Sequence, residues 1–561
     1  MHRWASRALA VAAAGSLVAG GLSGCTGPDA ARAKRARDVR PNIVLILTDD
    51  MSSNLFTPEY MPRTWDLMQQ GARFTRYYVT DSLCCPSRSS IFTGRYPHDT
   101  GIFTNSGDDG GYREFVKRGE EDSTFATDLQ GAGYHTAMMG KYLNLYDADL
   151  DPPSHGWDEW DVAGNSGYNE FNYRLNQNGE VHAYGGPNDG GRDNYLTDVL
   201  GRLADRWVSR SEVRSAPFLL EVATFAPHAP FVPAPRDKHL FGNLHLPKDA
   251  SFNTATIDPP SWLLGRPFMK RPKLREMAAA FRLRAQDVRG VDDIVGTLVD
   301  TLKRNHEWDN TYLVFSSDNG YHLGEHRLSG GKLTAFDTDI NVPLVIVGPH
   351  IAAGTTIDRL AENIDLRPTF DAWGATRPQQ AVDGRTLTPL LAPGAGTDRR
   401  LAGWPRSVLV EHHGPDLDPL PLTDPDHATP DDPNAANPPS YEAMRTDDGL
   451  YVEYLDGERE YYDTDTDPAE IDNLWRRLSP ALQRRLHVEL TRLKACTNEP
   501  DCDSSRLVVG PLTSLPPAPP SPAATAAHPA SPSASPSASP SVRPGPRRVH
   551  HRPIPSASAR H

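Results

Sequence analysis

The sequence predicts an α/β fold: a doubly wound, mixed but mostly parallel sheet, followed by a smaller C-terminal α+β domain that carries an antiparallel sheet. Three observations lead there. Continuous apolar runs with β-branched residues end in polar clusters, the pattern of strands buried on both faces of a parallel sheet. Ahead of one of those runs, Val288, Val291, Ile294, Val295, Leu298 and Leu302 recur at the spacing of an amphipathic helix. After about Pro393 the runs become short and closely spaced.

From the N-terminus, Arg3 and Arg7 precede an apolar run from Ala8 to Ala19 and then Leu22-Ser23-Gly24-Cys25. A charged start, a short apolar stretch and small residues make an export signal, too short to span a bilayer as a mature helix. Leu-Ser-Gly-Cys also resembles a bacterial lipobox, which implies a lipid on Cys25 and anchoring to the outer face of the membrane. Plain cleavage with Cys25 discarded is the alternative. The expected organisation is a signal with lipobox over 1–25, a polar tether over 26–40, the main domain over 41–393, a C-terminal subdomain over 394–508 and a disordered Pro/Ser/Ala-rich tail over 509–561. With 58 Lys and Arg against 72 Asp and Glu, the net charge of -14 argues against a nucleic-acid partner. Any anionic substrate must be held by a local positive pocket.

The first core run, Ile43-Val44-Leu45-Ile46-Leu47-Thr48, ends in Asp49-Asp50. A weaker run from Tyr134 to Met139 ends in Gly140-Lys141, and Phe218 to Thr224 leads to Pro227-His228. Thr311 to Ser317 ends in Asp318-Asn319-Gly320. In a doubly wound sheet ligands sit beyond the carboxyl ends of the strands, so these polar groups should share one crevice. The Asp-, Gly- and Asn-rich region from Leu145 to Asn194 reads as long loops around it. Past Pro393, Ser407-Val410, Tyr441-Arg445, Leu450-Tyr454 and Glu460-Tyr462 suggest the antiparallel sheet, with a helix near Pro480 to Leu493 and a loop insertion from Asp416 to Pro439.

Asp49, Asp50, Asp318 and Asn319 offer three carboxylates and an amide oxygen. Hard oxygen ligands select calcium or magnesium, and the number of carboxylates favours calcium. Asp and Asn also end strands as ordinary turn residues, but two such pairs after two core strands point to a metal.

Cysteine occurs at 25, 84, 85, 496 and 502. Cys496 and Cys502 are close enough to form a local disulfide in an oxidising compartment. Cys84 and Cys85 either pair with each other in a strained vicinal disulfide or stay free for chemistry, and the second reading is favoured. They stand before Pro86, which suits the first turn of a helix, so Cys84 should lie near unpaired backbone N–H groups that attract anions, with Arg88 adding a forked positive charge.

These residues carry a resemblance. Cys84-Cys85-Pro86-Ser87-Arg88 matches C-x-P-S-R, and Thr93-Gly94-Arg95-Tyr96-Pro97-His98, Gly140-Lys141, Pro227-His228-Ala229-Pro230, Asp318-Asn319-Gly320 and Lys332 follow in register. The chain resembles the type I sulfatases of the alkaline phosphatase superfamily from about Pro41 to Leu391, and more loosely to Asn473-Leu474. The resemblance implies that a formylglycine-generating enzyme oxidises Cys84 to formylglycine, whose hydrate attacks sulfur and expels the alcohol. It further implies one calcium, or magnesium, on Asp49, Asp50, Asp318 and Asn319, with Asp318 also able to take the nucleophile's proton. Arg88 would hold the hydrate, Lys141 and Lys332 would hold the sulfate oxygens, and His228 would protonate the leaving alcohol.

Many sulfatases have Gly-Lys-Trp-His where this chain has Gly140-Lys141-Tyr142-Leu143-Asn144, so a sulfate-side histidine is missing and Asn144 stands near its place. This version, with Gly164-Asn165-Ser166 and Tyr173 to Gly179 downstream, resembles the N-acetylglucosamine-6-sulfatase branch. The expected substrate is a sulfated sugar or an aryl sulfate, with His412 and His413 as candidates for the sugar subsite. Phosphodiester or phosphonate hydrolysis by the same machinery is the alternative.

Overall fold

Why the apolar runs become a sheet is visible in their burial: every residue of the strand Asn42–Thr48 is buried, as is every residue of Phe218–Ala223. The structure is a computed structural model that describes residues 40–188, 193–392, 404, 407–414, 432–503, 507, 509–510 and 512. Cys25, the export signal, nearly all of the tether and most of the tail lie outside the described residues, as does most of the Asp416–Pro439 segment. Among the described residues, no helix is long and apolar enough to cross a membrane.

Ten strands form the main sheet, in the order Thr355–Ile357, Ala72–Phe74, Leu344–Val347, Thr311–Ser317, Asn42–Thr48, Phe218–Ala223, His135–Lys141, Glu159–Ala163, Arg174–Gln177 and Glu180–Ala183. The five from Thr311–Ser317 to Glu159–Ala163 run parallel. Antiparallel neighbours flank them on both sides. The Leu145–Asn194 region is therefore only partly loop: three of its short segments extend the sheet. Their polar residues hid them, because Arg174–Gln177 and Glu180–Ala183 lie towards the sheet edge and the latter strand is exposed along its whole length.

Alternation along each strand feeds two layers. Val44, Ile46, Leu220 and Val222 face the helices Leu196–Ser209 and Arg271–Arg304, the second of which contains the predicted Val288–Leu302 periodicity. Leu45, Leu47, Leu219 and Ala223 share the other core with the helix Cys84–Thr93. Helices on both faces make the sheet doubly wound, as expected.

The C-terminal strands Val408–His412, Tyr441–Arg445, Gly449–Tyr454 and Arg459–Asp463 form a separate antiparallel sheet in that order. One face, with Leu409, Met444, Tyr451 and Tyr461, packs with Leu486 and Leu490 of the helix Pro480–Leu493. The other, with Val408, Val410, Ala443, Leu450 and Val452, joins the core that holds the Cys84–Thr93 helix. The smaller sheet thus shares a core with the helix that carries Cys84.

Candidate active site

Parallel register brings the polar strand ends into line. Thr48 pairs with Ser317, and Ala223 pairs with both Leu47 and Gly140. Asp49-Asp50, Asp318-Asn319, Lys141 and His228 therefore emerge at one edge of the central strands. Asp50 adopts φ 62, a left-handed conformation that Asp tolerates better than most residues. Gly140 has φ 108, and a Cβ there would lie 1.8 Å from the Ala223 carbonyl oxygen. Only glycine fits at that step, and it delivers Lys141 into the site.

The Cys84–Thr93 helix is buried on all sides, so it has no apolar stripe. Side chains hold its first turn: the Asn105 side-chain oxygen accepts from the Cys85 N–H at 3.0 Å, and the Ser87 hydroxyl donates to the Asp318 carbonyl while accepting from Asn363 Nδ2 at 2.9 Å. Gly94, at φ 67, ends the helix. Cys84 is the first helical residue, placing its side chain at the positive end.

Around the Cys84 sulfur, Asp49 Oδ1 lies at 3.2 Å and Lys332 Nζ at 2.9 Å. Lys332 Nζ also donates to Asp50 Oδ1 at 2.7 Å, and Lys141 Nζ to Asp49 Oδ2 at 2.5 Å. Arg88 Nε donates to Asp318 Oδ2 at 2.7 Å and its Nη1 to the Lys141 carbonyl at 2.9 Å. His228 Nε2 is 3.4 Å from Asp50 Oδ2, its Nδ1 is 2.7 Å from the Ala229 carbonyl, and its ring packs 4.6 Å from Tyr168. Asn319 Nδ2 donates to Asp50 Oδ1 at 2.7 Å. The structure thus gathers all nine sequence-predicted residues, Asp49, Asp50, Cys84, Arg88, Lys141, His228, Asp318, Asn319 and Lys332, and all nine are buried. A cleft of about 210 Å³ opens over Asp50, His228 and Lys332.

Charge crowding splits the carboxylates. Burial pushes the Asp49 carboxyl up, and neighbouring Asp318 adds to the push, against the pull of Lys141, His228 and Arg88. Burial acts on Asp318 too, but Arg88, Lys141 and Lys332 outweigh it and hold that carboxyl down at about 2. Burial lowers the Lys141 ammonium, but Asp49, Cys84 and Asp318 together outweigh it, so the net direction is upward.

Three carboxylates face three cations, Arg88, Lys141 and Lys332, so the cluster is neutral by itself. A divalent cation would leave a surplus of positive charge suited to an anionic substrate. The donors fit one: ligand atoms of Asp49, Asp50, Cys84 and His228 lie within 4.8 Å of one another, and the buried Asn319 Oδ1 has no hydrogen-bond partner among the described residues.

Asn144 is buried beside the site, its Nδ2 3.4 Å from the Tyr168 hydroxyl and its Oδ1 without a partner among the described residues. His412 is buried with its Nδ1 3.9 Å from Asp81, whereas His413 is half-exposed, stacks on Phe103 and pairs with Asp109 at 2.8 Å. Cys84 and Cys85 are free thiols and not a vicinal disulfide, while Cys496 and Cys502 are bonded to each other. Sequence reasoning missed Tyr168, whose ring lies 5.0 Å from Lys141 Nζ, and Arg284, which donates to the Asp50 carbonyl. For Arg284 a signal existed: it sits four residues before Val288, a charge on the apolar face of its helix.

The chain is similar to known proteins. Residues 41–374 match the sulfatase family. An N-acetylglucosamine-6-sulfatase of Capra hircus is 33% identical over 511 residues, covering 86% of this chain and 88% of that protein. An extracellular sulfatase SULF-1 homolog of Drosophila melanogaster is 37% identical over 384 residues, 68% of this chain, and the match spans only 34% of that longer protein. Among solved structures, one in complex with its substrate D-glucosamine-2-N,6-O-disulfate superposes with a TM-score of 0.64 at 22% identity, covering 82% of this chain and 99% of the other.

Proposed function

The chain belongs to the sulfatase family, and from that premise we propose that it hydrolyses sulfate monoesters, with a 6-sulfated N-acetylglucosamine-type sugar as substrate and aryl sulfates as surrogates. The observation that carries this is the Cys84 side chain at the start of a buried helix, with a carboxylate at 3.2 Å and an ammonium at 2.9 Å. A cysteine kept for packing has no use for either. The names of the goat and Drosophila relatives support the sugar substrate and export. A lipid on Cys25 would then hold the enzyme at the outer face of the membrane.

In this reading a formylglycine-generating enzyme oxidises Cys84, and the resulting aldehyde hydrate supplies the nucleophile. Asp49, Asp50, Asp318 and Asn319 would hold calcium, which would supply charge favouring the sulfate and an ionised nucleophile. Asp49 is better placed than Asp318 to take a proton from residue 84: its Oδ1 lies 3.2 Å from that side chain, whereas Asp318 Oδ2 is engaged by Arg88. Arg88, locked by Asp318 and the Lys141 carbonyl, holds the nucleophile in place. Lys141 and Lys332 bind the sulfate oxygens in a site stripped of water, where each charge acts more strongly. His228 donates a proton to the leaving alcohol from Nε2, because its Nδ1 is directed at the Ala229 carbonyl.

Initial rates on N-acetylglucosamine 6-sulfate, an aryl sulfate and an aryl phosphodiester test the assignment, together with the mass of the peptide from Leu83 to Arg88. Sulfate esters should be turned over in proportion to the fraction of Cys84 carrying the aldehyde. A strong preference for the phosphodiester, or turnover by protein with an intact thiol, would sink it.

A further inference from the structure

Glu221 stands in the middle of the Phe218–Ala223 strand, flanked in register by Leu45 and Met138. Residues two apart on a strand share a face, so it points with Leu219 and Ala223 into the layer that contains the Cys84–Thr93 helix. It is fully buried there, and among the described residues neither of its carboxyl oxygens has a hydrogen-bond partner. An orphaned carboxyl in an apolar layer costs stability and calls for a reason. Arg88 reaches the end of the neighbouring strand, its Nη1 on the carbonyl of Lys141, next to the Gly140 that pairs with Ala223, and it has the matching deficit: Nε and Nη1 are engaged, but among the described residues the buried Nη2 has no partner. Burial pushes the Glu221 carboxyl up to about 8, and the charge that pulls it back is Arg88. Near neutral pH the group keeps its proton and offers its carbonyl oxygen as an acceptor.

We propose that Glu221 is a positioning residue, whose carboxyl accepts a hydrogen bond from Arg88 Nη2 through one buried water, the two groups not being in direct contact, and so helps to fix the guanidinium beside Asp318 and Cys84. The idea rests on the proposed role of Arg88 in holding the nucleophile.

Two variants separate positioning from packing. Glu221→Met has similar length and no acceptor, and replaces an unsatisfied buried group by an apolar one, so it should melt at the same temperature as the parent or higher. Its kcat on an aryl sulfate should nevertheless fall about tenfold or more, with KM within about twofold, because a displaced catalytic group costs rate rather than binding. Glu221→Gln keeps the carbonyl acceptor and should stay within about twofold of the parent. Crystal structures of both should show the guanidinium turned away from the Lys141 carbonyl in the Met variant alone. A Met variant with parental kcat and an unmoved Arg88 would overturn the proposal. So would a Met variant that does not fold, since the carboxyl would then serve stability, or a Gln variant as impaired as Met. If the parent hydrolyses no sulfate ester while Arg88 still swings in the Met variant, the sulfatase reading fails and the positioning role stands.

Discussion

Cys84 and Cys85 are adjacent, equally buried and chemically identical, yet their surroundings differ. Cys84 faces Asp49 and Lys332, whereas burial pushes the Cys85 thiol up to about 11, an inert packing group. Cys84→Ala should therefore abolish turnover, by about 10³-fold or more, while the melting temperature changes little, and Cys85→Ala should do the reverse by leaving a cavity in the core. Turnover of the Cys84 variant comparable to the parent refutes the assignment. In the proposed reaction His228 acts at the other end. Its replacement by Ala should cost about 10²-fold on a sugar sulfate, whose alcohol leaves poorly, and much less on an activated aryl sulfate. Equal losses on both substrates would remove it from the role of proton donor.

The element that matters most to positioning is the His135–Lys141 strand. Its last turn outwards depends on Gly140, where a Cβ would press against a main-chain oxygen at 1.8 Å that no rotamer change relieves. Gly140→Ala should cost about 3 kcal/mol or more and shift Lys141, so that thermal melts and kcat fall together. An alanine variant with parental stability would show that the strand end yields more easily than its geometry indicates. The Cys84–Thr93 helix makes a different demand. Having no exposed face, it is stabilised by enclosure, from the main sheet on one side and the C-terminal sheet's core residues on another.

At the scale of the molecule, His98 ties the segment after that helix to the C-terminal part: its Nδ1 meets Glu411 at 2.8 Å and its Nε2 the Cys496 carbonyl at 2.8 Å. Burial lowers the imidazole, but Glu411 and the carbonyl raise it more, to about 9 from an ordinary 6.5. A group raised on folding stabilises fully below its unfolded value and loses that contribution as pH rises through its folded value, so up to about 3 kcal/mol should vanish between roughly pH 6.5 and 9. Melting temperatures across that window should slope downward in the parent and flatten in His98→Gln, and parallel slopes would contradict the pairing. Binding of calcium only to the folded chain should raise the melting temperature, and a chelator should reverse it. No response of stability to either would argue against the metal. What the sequence determined alone is local: apolar runs that must be buried strands, a helix-start motif around Cys84, and acidic or amide pairs at strand ends. Those follow from side-chain period and residue chemistry within a few positions. Tertiary structure alone decided that Lys141 pairs with Asp49 across 92 residues, that Lys332 reaches Asp50 across 282, and that Tyr168 and Arg284 stand around the same centre. Such pairings depend on strand order and layer, which no short window of residues encodes.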